Sequence, residues 1–222
     1  MPTTQSDAAV ADGTVPAAEP PKPRIPSLVT HVVLAAVTLL VGFGIGLLVP
    51  QQPDYPGDTS PEAGFIRDMS LHHAQAVDMG LIAYSKASLS DVRTLGMDIA
   101  LTQHGQVNIM QTWLKQWGLD PNGSQQLMAW MPGGTASLQD GLMPGMATPQ
   151  QMEELRQAQG KQVDILFLTL MRQHHLGGIH MAQEVVKLSK NDDVTAIAQT
   201  MAKTQQYEIS AMTDLLEQAQ AS

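Results

Sequence analysis

Four of the seven histidines occur as two adjacent pairs, each in the same methionine context. One methionine precedes each pair by three residues, and another follows it by six residues. The eight residues are Met69, His72, His73, Met79, Met171, His174, His175 and Met181. Thioether sulfur and imidazole nitrogen together suit soft Cu(I). The alternative is that the histidines donate hydrogen bonds to Glu or Gln inside a core and fix the register of the helices.

The composition narrows the possible chemistry. The chain of 222 residues contains 14 methionines and no cysteine, which excludes disulfides, iron–sulfur clusters, thiolate nucleophiles, blue-copper sites and covalently attached haem. Any soft-metal chemistry therefore depends on Met and His. The 12 basic and 21 acidic side chains give a net charge of −9 without any Lys/Arg cluster, so a nucleic-acid partner is not expected.

Two further methionines, Met143 and Met146, lie in the sequence GLMPGM. This sequence belongs to a Gly/Pro/Met-rich loop that we predict over residues 118–148, together with Met128 and Met131. The loop methionines either close a metal site as a lid or cover the end of the helical domain as apolar side chains. A loop of this length is uncommon in a compact domain unless it has a function.

Helix signals dominate the chain after residue 60, and strand signals are absent. Helix starts are marked at Ser60, Ser90, Thr148 and either Asp192 or Asp193. The predicted helices span 61–88, 91–117, 149–190 with a break at Gly160, and 193–219. These elements predict one all-α domain over residues 61–222.

A shift of 102 residues aligns the two halves of this domain without a gap. Besides the histidine and methionine groups, it aligns Phe65 with Phe167, Gln103 with Gln205, and Gln106 with Glu208. Each half is predicted to form a helical hairpin, which by itself would leave an apolar face exposed to solvent. We therefore predict an antiparallel four-helix bundle made of two repeated hairpins.

Heptad-like spacing places His72 and His174 on the buried seams of this bundle. Residues at equal distances before and after the turn of a hairpin lie beside each other. In the first hairpin this pairs His72 with Gln106, and in the second hairpin it pairs His174 with Glu208. The residues expected to contact the ligands without contacting the metal are Gln103, Gln106, Gln205 and Glu208. Because a buried polar group without a partner costs a few kcal/mol, this layer is a hydrogen-bond network, a metal site or a water-lined cavity. The residues expected on the surface are Asp68, His104 and His180.

An apolar segment near the N-terminus predicts a membrane span. Residues 28–49 run for 22 residues without a formal charge, which corresponds to about 33 Å of helix. We expect a transmembrane helix over 27–49, a disordered tail over 1–26 and a linker over 50–60. Basic residues before the span and acidic residues after it place the tail in the cytoplasm and the bundle outside the membrane. A cleaved signal peptide agrees less well with the length of the segment.

The combined motifs resemble the domain of unknown function 305 family over about residues 61–216. They are FxxxMxxHHxxxxxM, present twice, QxxxVxxM and QxxEIxxM, and MPGM before the second copy. The resemblance implies a ferritin-like bundle in an exported or membrane-anchored bacterial protein, with copper binding in some members. By position, the family pattern covers Met69, His72, His73, Met79, Met143, Met146, Met171, His174, His175, Met181, Gln205 and Glu208. Gln106 departs from it, because that position often carries Glu.

The leading interpretation is a membrane-anchored, extracytoplasmic protein that binds copper as Cu(I) for buffering, delivery or resistance, and that is not an enzyme. The expected partners are a metal ion, the membrane and, for delivery, another membrane protein. A carboxylate-bridged di-iron site is disfavoured because the ExxH motifs that it needs are missing. Two alternatives stay open: a metal-free helical scaffold that binds another membrane protein, and a b-type haem bundle with His/Met ligation.

Overall fold

The computed structural model of the protein describes residues 27–48 and 54–221. These residues contain no β-strand, and they belong to two separate units, residues 1–53 and 54–222. The helices are α1 (Leu28–Leu48), α2 (Pro61–Lys86), α3 (Ser90–Gln116), α4 (Pro149–Gln157), α5 (Lys161–Leu188) and α6 (Asp192–Ala221). A short 3₁₀ turn, Gly134–Ser137, lies in the loop between α3 and α4. The predicted all-α fold is confirmed.

Helix α1 is predominantly apolar and contains no Asp, Glu, Lys or Arg. A stretch of 19 residues, Leu28–Gly46, is long and apolar enough to cross a membrane. A signal sequence near the N-terminus has the same properties, so the helix alone does not distinguish an anchor from a leader. The predicted tail, 1–26, and part of the predicted linker, residues 50–53, lie outside the described residues. The membrane orientation therefore stays a prediction.

Local sequence signals set several helix ends as predicted. The Ser60 side chain accepts a hydrogen bond from the backbone N–H of Ala63 at 3.2 Å, so α2 starts with a serine N-cap. Thr148 and Gln151 form a reciprocal capping box at the start of α4. The predicted break at Gly160 is confirmed, since this residue separates α4 from α5 and has a φ of 53° that favours glycine.

At two predicted helix starts, the N-cap is a different residue from the one that marks the start in the sequence. Ser90 is the first residue of α3, and the preceding Leu89 is an N-cap without a side-chain hydrogen bond. At the start of α6, the side-chain oxygen of Asn191 accepts from the backbone N–H of Val194 at 3.0 Å, in place of either aspartate that follows it. Neighbouring residues in both turns can serve as caps, and the path of the chain decides which of them does.

A carboxylate of each hairpin accepts hydrogen bonds from backbone N–H groups in the turn of the other hairpin. The buried Asp164 carboxylate, near the start of α5, accepts from the backbone N–H groups of Ser88 at 3.1 Å and Leu89 at 3.3 Å. The Glu62 carboxylate, near the start of α2, accepts from the backbone N–H of Lys190 at 2.7 Å. The start of each helix thus lies beside the end of the other, so α2 and α5 are antiparallel. No local pattern in the sequence predicts this reciprocal contact, because its partners lie far apart in the chain.

Helices α2 and α3 form one hairpin, α5 and α6 form the other, and α2 packs against α5 between them. The core consists of two apolar clusters with equivalent members from the two hairpins. The first cluster includes Phe65, Met69, Met110, Met181, Val185, Val194 and Met201. The second cluster includes Phe167, Met171, Met212, Met79, Ala83, Val92 and Ile99. Both clusters therefore depend on the packing of α2 against α5.

A layer of polar side chains separates the two apolar clusters. Along α2, for example, His72 and His73 lie between Met69 of the first cluster and Ala76 of the second cluster. The same interruption occurs on all four long helices. We call these residues the polar layer: His72, His73, Gln103, Gln106, His174, His175, Gln205 and Glu208.

Removal of residues 1–50 should leave a soluble, strongly helical domain, because residues 54–222 contain their own apolar clusters. Circular dichroism of the purified fragment 51–222 checks this expectation. A spectrum typical of β-structure or of an unfolded chain would contradict it.

Replacement Asp164→Ala should lower the free energy of unfolding by about 2 kcal/mol, since a buried carboxylate that accepts several hydrogen bonds is lost. Asp214→Ala removes an exposed carboxylate from the C-terminal third of α6 and is the matched control. Denaturant unfolding of both variants measures the difference. Equal stabilities would show that the reciprocal cap does not hold the hairpins together.

Candidate metal centre

His72 and His174 lie where α2 and α5 cross. Their ring centroids are 3.8 Å apart, with an angle of 35° between the ring planes. His174 donates from Nε2 to the carbonyl oxygen of His72 at 3.0 Å. His72 donates from Nε2 to the carbonyl oxygen of Pro144, in the loop before α4, at 3.1 Å. Because a carbonyl only accepts, both rings carry their hydrogen on Nε2.

The second histidine of each pair faces the other helix of its own hairpin. His73 Nε2 lies 2.8 Å from Gln106 Oε1, and His175 Nε2 lies 2.7 Å from Glu208 Oε2. The prediction that Gln106 and Glu208 lie level with the first histidines is therefore wrong by one residue. His72 and His174 are directed across the bundle, so the next residue along each helix is the one that reaches α3 or α6.

Burial favours the neutral form of His72, His73 and His174. All four rings are at most 1% exposed. Burial lowers the pKa of His72 to about 4 and the pKa of His73 to about 3. Burial also holds the pKa of His174 well below 6.5, and repulsion from the neighbouring histidines adds to the shift. Neutral imidazole is the form that binds metal ions.

Three ring nitrogens of the polar layer are unused. The Nδ1 atoms of His72, His73 and His175 are buried, and within residues 27–48 and 54–221 they have no hydrogen-bond partner. Where Nε2 of a neutral ring donates to the oxygen beside it, Nδ1 carries a lone pair. A metal-binding histidine is typically held in this way, with the other ring nitrogen donating to a carboxylate or a carbonyl. The geometry of the rings therefore fits a metal ligand.

Methionine sulfur is the other donor available near the layer. Met69, Met79, Met171 and Met181 adjoin the layer along α2 and α5, and all four are fully buried. Across the part of the chain that the structure describes, no group of three or more His, Asp or Glu side chains is arranged to hold a metal ion. A metal bound here would need thioether ligands in addition to imidazole, which is the donor set that Cu(I) accepts.

Gln103 and Gln205 contribute buried amides to the polar layer. Both side chains are at most 3% exposed. Both amide atoms of Gln103 and the Oε1 atom of Gln205 have no hydrogen-bond partner among the described residues. The Gln205 amide packs against Gly178, where a Cβ atom would come within 2.5 Å of Oε1. These amides thus supply unused polar atoms beside the histidines, although neither one orients a histidine ring.

The GLMPGM loop covers one side of the polar layer. Gln75 holds it through both backbone groups of Ala147, with distances of 2.7 Å to the N–H and 2.9 Å to the carbonyl. Gly177 allows the close approach, because a Cβ atom there would lie 1.8 Å from the Pro144 carbonyl oxygen. Met143 is 2% exposed, whereas Met146 is half-buried, and both line a cavity of about 490 Å³.

Sequence reasoning missed the contribution of this loop. Its contact with His72 is made by a backbone carbonyl, which has no signature in the sequence. The adjacent glycines Gly177 and Gly178, in the middle of a helix, were the available signal, since glycine there often marks a close backbone approach.

The expectation for Asp68 is wrong, because this carboxylate is buried rather than solvated. It is 5% exposed and accepts from the backbone N–H of Met128 at 2.7 Å and from the indole N–H of Trp130 at 2.8 Å. Burial raises the pKa of Asp68. Asp68 therefore anchors the first part of the long loop, and Met128 belongs to the apolar core. His104 and His180 are exposed, as expected.

A family model described as a domain of unknown function, DUF305, matches residues 62–216. The chain belongs to the DUF305 family. A solved DUF305 structure from Streptomyces coelicolor is 39% identical, covers 73% of this chain and 96% of its own, and has a TM-score of 0.68. A DUF305 fragment from Deinococcus radiodurans is 28% identical, covers 71% and 96% of the two chains, and has a TM-score of 0.59.

The helical domain also resembles CopM, whose Cu(I)-bound form has been solved. That structure is 22% identical, covers 73% of this chain and 97% of its own, and has a TM-score of 0.55. At this identity the similarity shows a shared fold. A comparison with curated proteins gave no match.

The metal-free protein should lose stability as the pH falls below about 6.5, the ordinary pKa of histidine. Between that pH and about 4, His72 and His73 become protonated in the unfolded chain, whereas burial keeps them neutral in the folded chain. Protonation therefore favours unfolding. The expected loss is about 1.4 kcal/mol for each such histidine and pH unit. Denaturant unfolding at pH 7, 6 and 5 with a chelator present measures it.

His73→Gln should reduce this pH dependence, because one of the buried titrating rings is removed. His104→Gln, at an exposed position on α3, is the control and should leave the dependence as it is. A wild-type protein whose stability is constant over this pH range would contradict the neutral, buried state of the rings.

Proposed function

We propose that this protein binds copper as Cu(I) on the outer side of the cytoplasmic membrane, where α1 anchors it. Its role is to buffer copper, to deliver it or to confer resistance to it, without a catalytic step. Delivery would require another protein in the same membrane to accept the metal.

The observation that carries this proposal is the state of the buried histidines. His72, His73 and His175 each place Nε2 beside an oxygen atom and leave Nδ1 without a partner in the described part of the chain. A buried nitrogen lone pair without a partner is costly unless something binds to it. Fully buried thioethers lie on the same helices one or two turns away. Imidazole and thioether together favour Cu(I) over harder cations.

The comparisons support the same reading. CopM, which shares the fold, has been solved with Cu(I), with Cu(II) and with Ag. The support for a location outside the cytoplasm is the length and apolar character of α1, together with the basic residues Lys22 and Arg24 before it.

Replacement His72→Ala in the fragment 51–222 should weaken Cu(I) binding at least tenfold, or by about 1.4 kcal/mol, if its ring is a ligand. An anaerobic titration of Cu(I) against a chromophoric chelator measures the affinity. His104→Ala removes an exposed histidine and should bind as tightly as the wild type. Circular dichroism of each variant shows whether the fold is retained.

The thioether contribution can be tested in the same titration without opening a cavity. Met69→Leu removes a sulfur next to the polar layer at nearly constant volume, and it should also weaken binding. Met110→Leu changes a buried methionine of the same apolar cluster on α3, a helix that carries neither histidine pair, so it serves as the matched control. No Cu(I) binding by the wild-type fragment would favour the metal-free scaffold, and a Soret band in the purified protein would favour haem.

A further inference from the structure

The two halves of the polar layer differ in one residue that contacts a histidine. His73 and His175 are equivalent positions 102 residues apart, and both rings are fully buried. Their Nε2 atoms meet side-chain oxygens at nearly the same distance, 2.8 Å from Gln106 and 2.7 Å from Glu208. The geometry is thus conserved between the halves, while one partner is a neutral amide and the other is a carboxylate.

The carboxylate fixes the tautomer of its histidine, whereas the amide does not. Ionised Glu208 can only accept, so a neutral His175 must carry its hydrogen on Nε2 and its lone pair on Nδ1. Gln106 can turn its amide and present either an acceptor or a donor to His73, which permits both tautomers. When His175 is neutral, its Nδ1 atom therefore has the lone pair that can bind a cation, whereas neutral His73 has it there in only one of its tautomers.

The carboxylate also balances the charge of a bound cation. A cuprous ion held by neutral imidazole and thioether groups leaves a net positive charge in an interior of low polarity, and such a charge is costly unless it is paired. Glu208 is the acidic member of the polar layer, and its side chain is only 16% exposed. Gln106 offers no such compensation to a cation on the His73 side.

We infer that the His175 half of the polar layer is the high-affinity cuprous site and that Glu208 is its positioning residue, whereas the His73 half binds the same ion more weakly. This inference rests on the proposed function. It predicts two unequal binding steps in a chain whose two halves have nearly the same fold.

The test uses the full chain in detergent and an anaerobic titration with Cu(I) against a chromophoric chelator. Glu208→Gln should weaken the first binding step by about 10- to 100-fold, as is typical when the partner of a metal-binding histidine is removed. Gln106→Glu should strengthen the second step by a similar factor. Glu217→Gln removes an exposed carboxylate from the same helix and should change neither step.

A spectroscopic measurement separates an effect on the ligand from an effect on the fold. With substoichiometric Ag(I), a diamagnetic analogue of Cu(I), the ¹⁵N resonance of His175 Nδ1 should shift before that of His73 Nδ1. In the double variant Glu208→Gln/Gln106→Glu this order should reverse. A shift of both resonances in parallel in the wild type would overturn the inference.

The outcomes also separate this inference from the proposed function. A wild-type chain that binds no Cu(I) overturns both. A wild-type chain that binds Cu(I) while Glu208→Gln leaves the first step unchanged overturns the inference alone. If Glu208→Gln does not fold, Gln106→Glu decides, because an unchanged second step in that variant overturns the inference.

Discussion

The burial of four imidazole rings at the centre of the bundle is the constraint on which the rest of the structure depends. A buried ring without a hydrogen-bond partner costs a few kcal/mol, so each ring must lie beside an acceptor. The crossing of α2 and α5 supplies the carbonyl of His72 to His174, and the neighbouring helices supply Gln106 and Glu208. The GLMPGM loop supplies the Pro144 carbonyl to His72. Helix register and loop path both follow from this requirement.

The two hairpins are nearly equivalent where they stabilise the fold and differ where they face the centre. Asp164 and Glu62 cap opposite turns, and the two apolar clusters contain corresponding residues. The symmetry ends at the loop, whose Pro144 carbonyl accepts from His72, and at the exchange of a carboxylate for an amide between Glu208 and Gln106. A repeated fold therefore provides two histidine pairs with different surroundings.

The surroundings of the pairs suit a soft monovalent cation better than a hard one. Apolar clusters lie on both sides of the layer, burial favours the neutral form of His72, His73 and His174, and buried methionines next to the layer carry the sulfur. The oxygen atoms beside the histidines already accept hydrogen bonds from the rings. They therefore orient the rings rather than contact a metal. Imidazole and thioether donors favour soft cations through their chemistry more than through charge.

The sequence by itself determined the helices, the repeat and the burial of the histidine pairs, because these follow from spacing along one helix and from local capping residues. Only the tertiary structure decided which acceptor each ring meets. A shift of one residue turns a side chain by about 100° around its helix, so the pairing of Glu208 with His175 rather than His174 depends on how the helices pack. The burial of Asp68 and the contact of Pro144 with His72 depend on the path of a loop that has no periodic pattern. The buried face of each helix thus follows from local spacing in the sequence. The contacts that define the candidate site instead join residues far apart in the chain, so they depend on the tertiary structure.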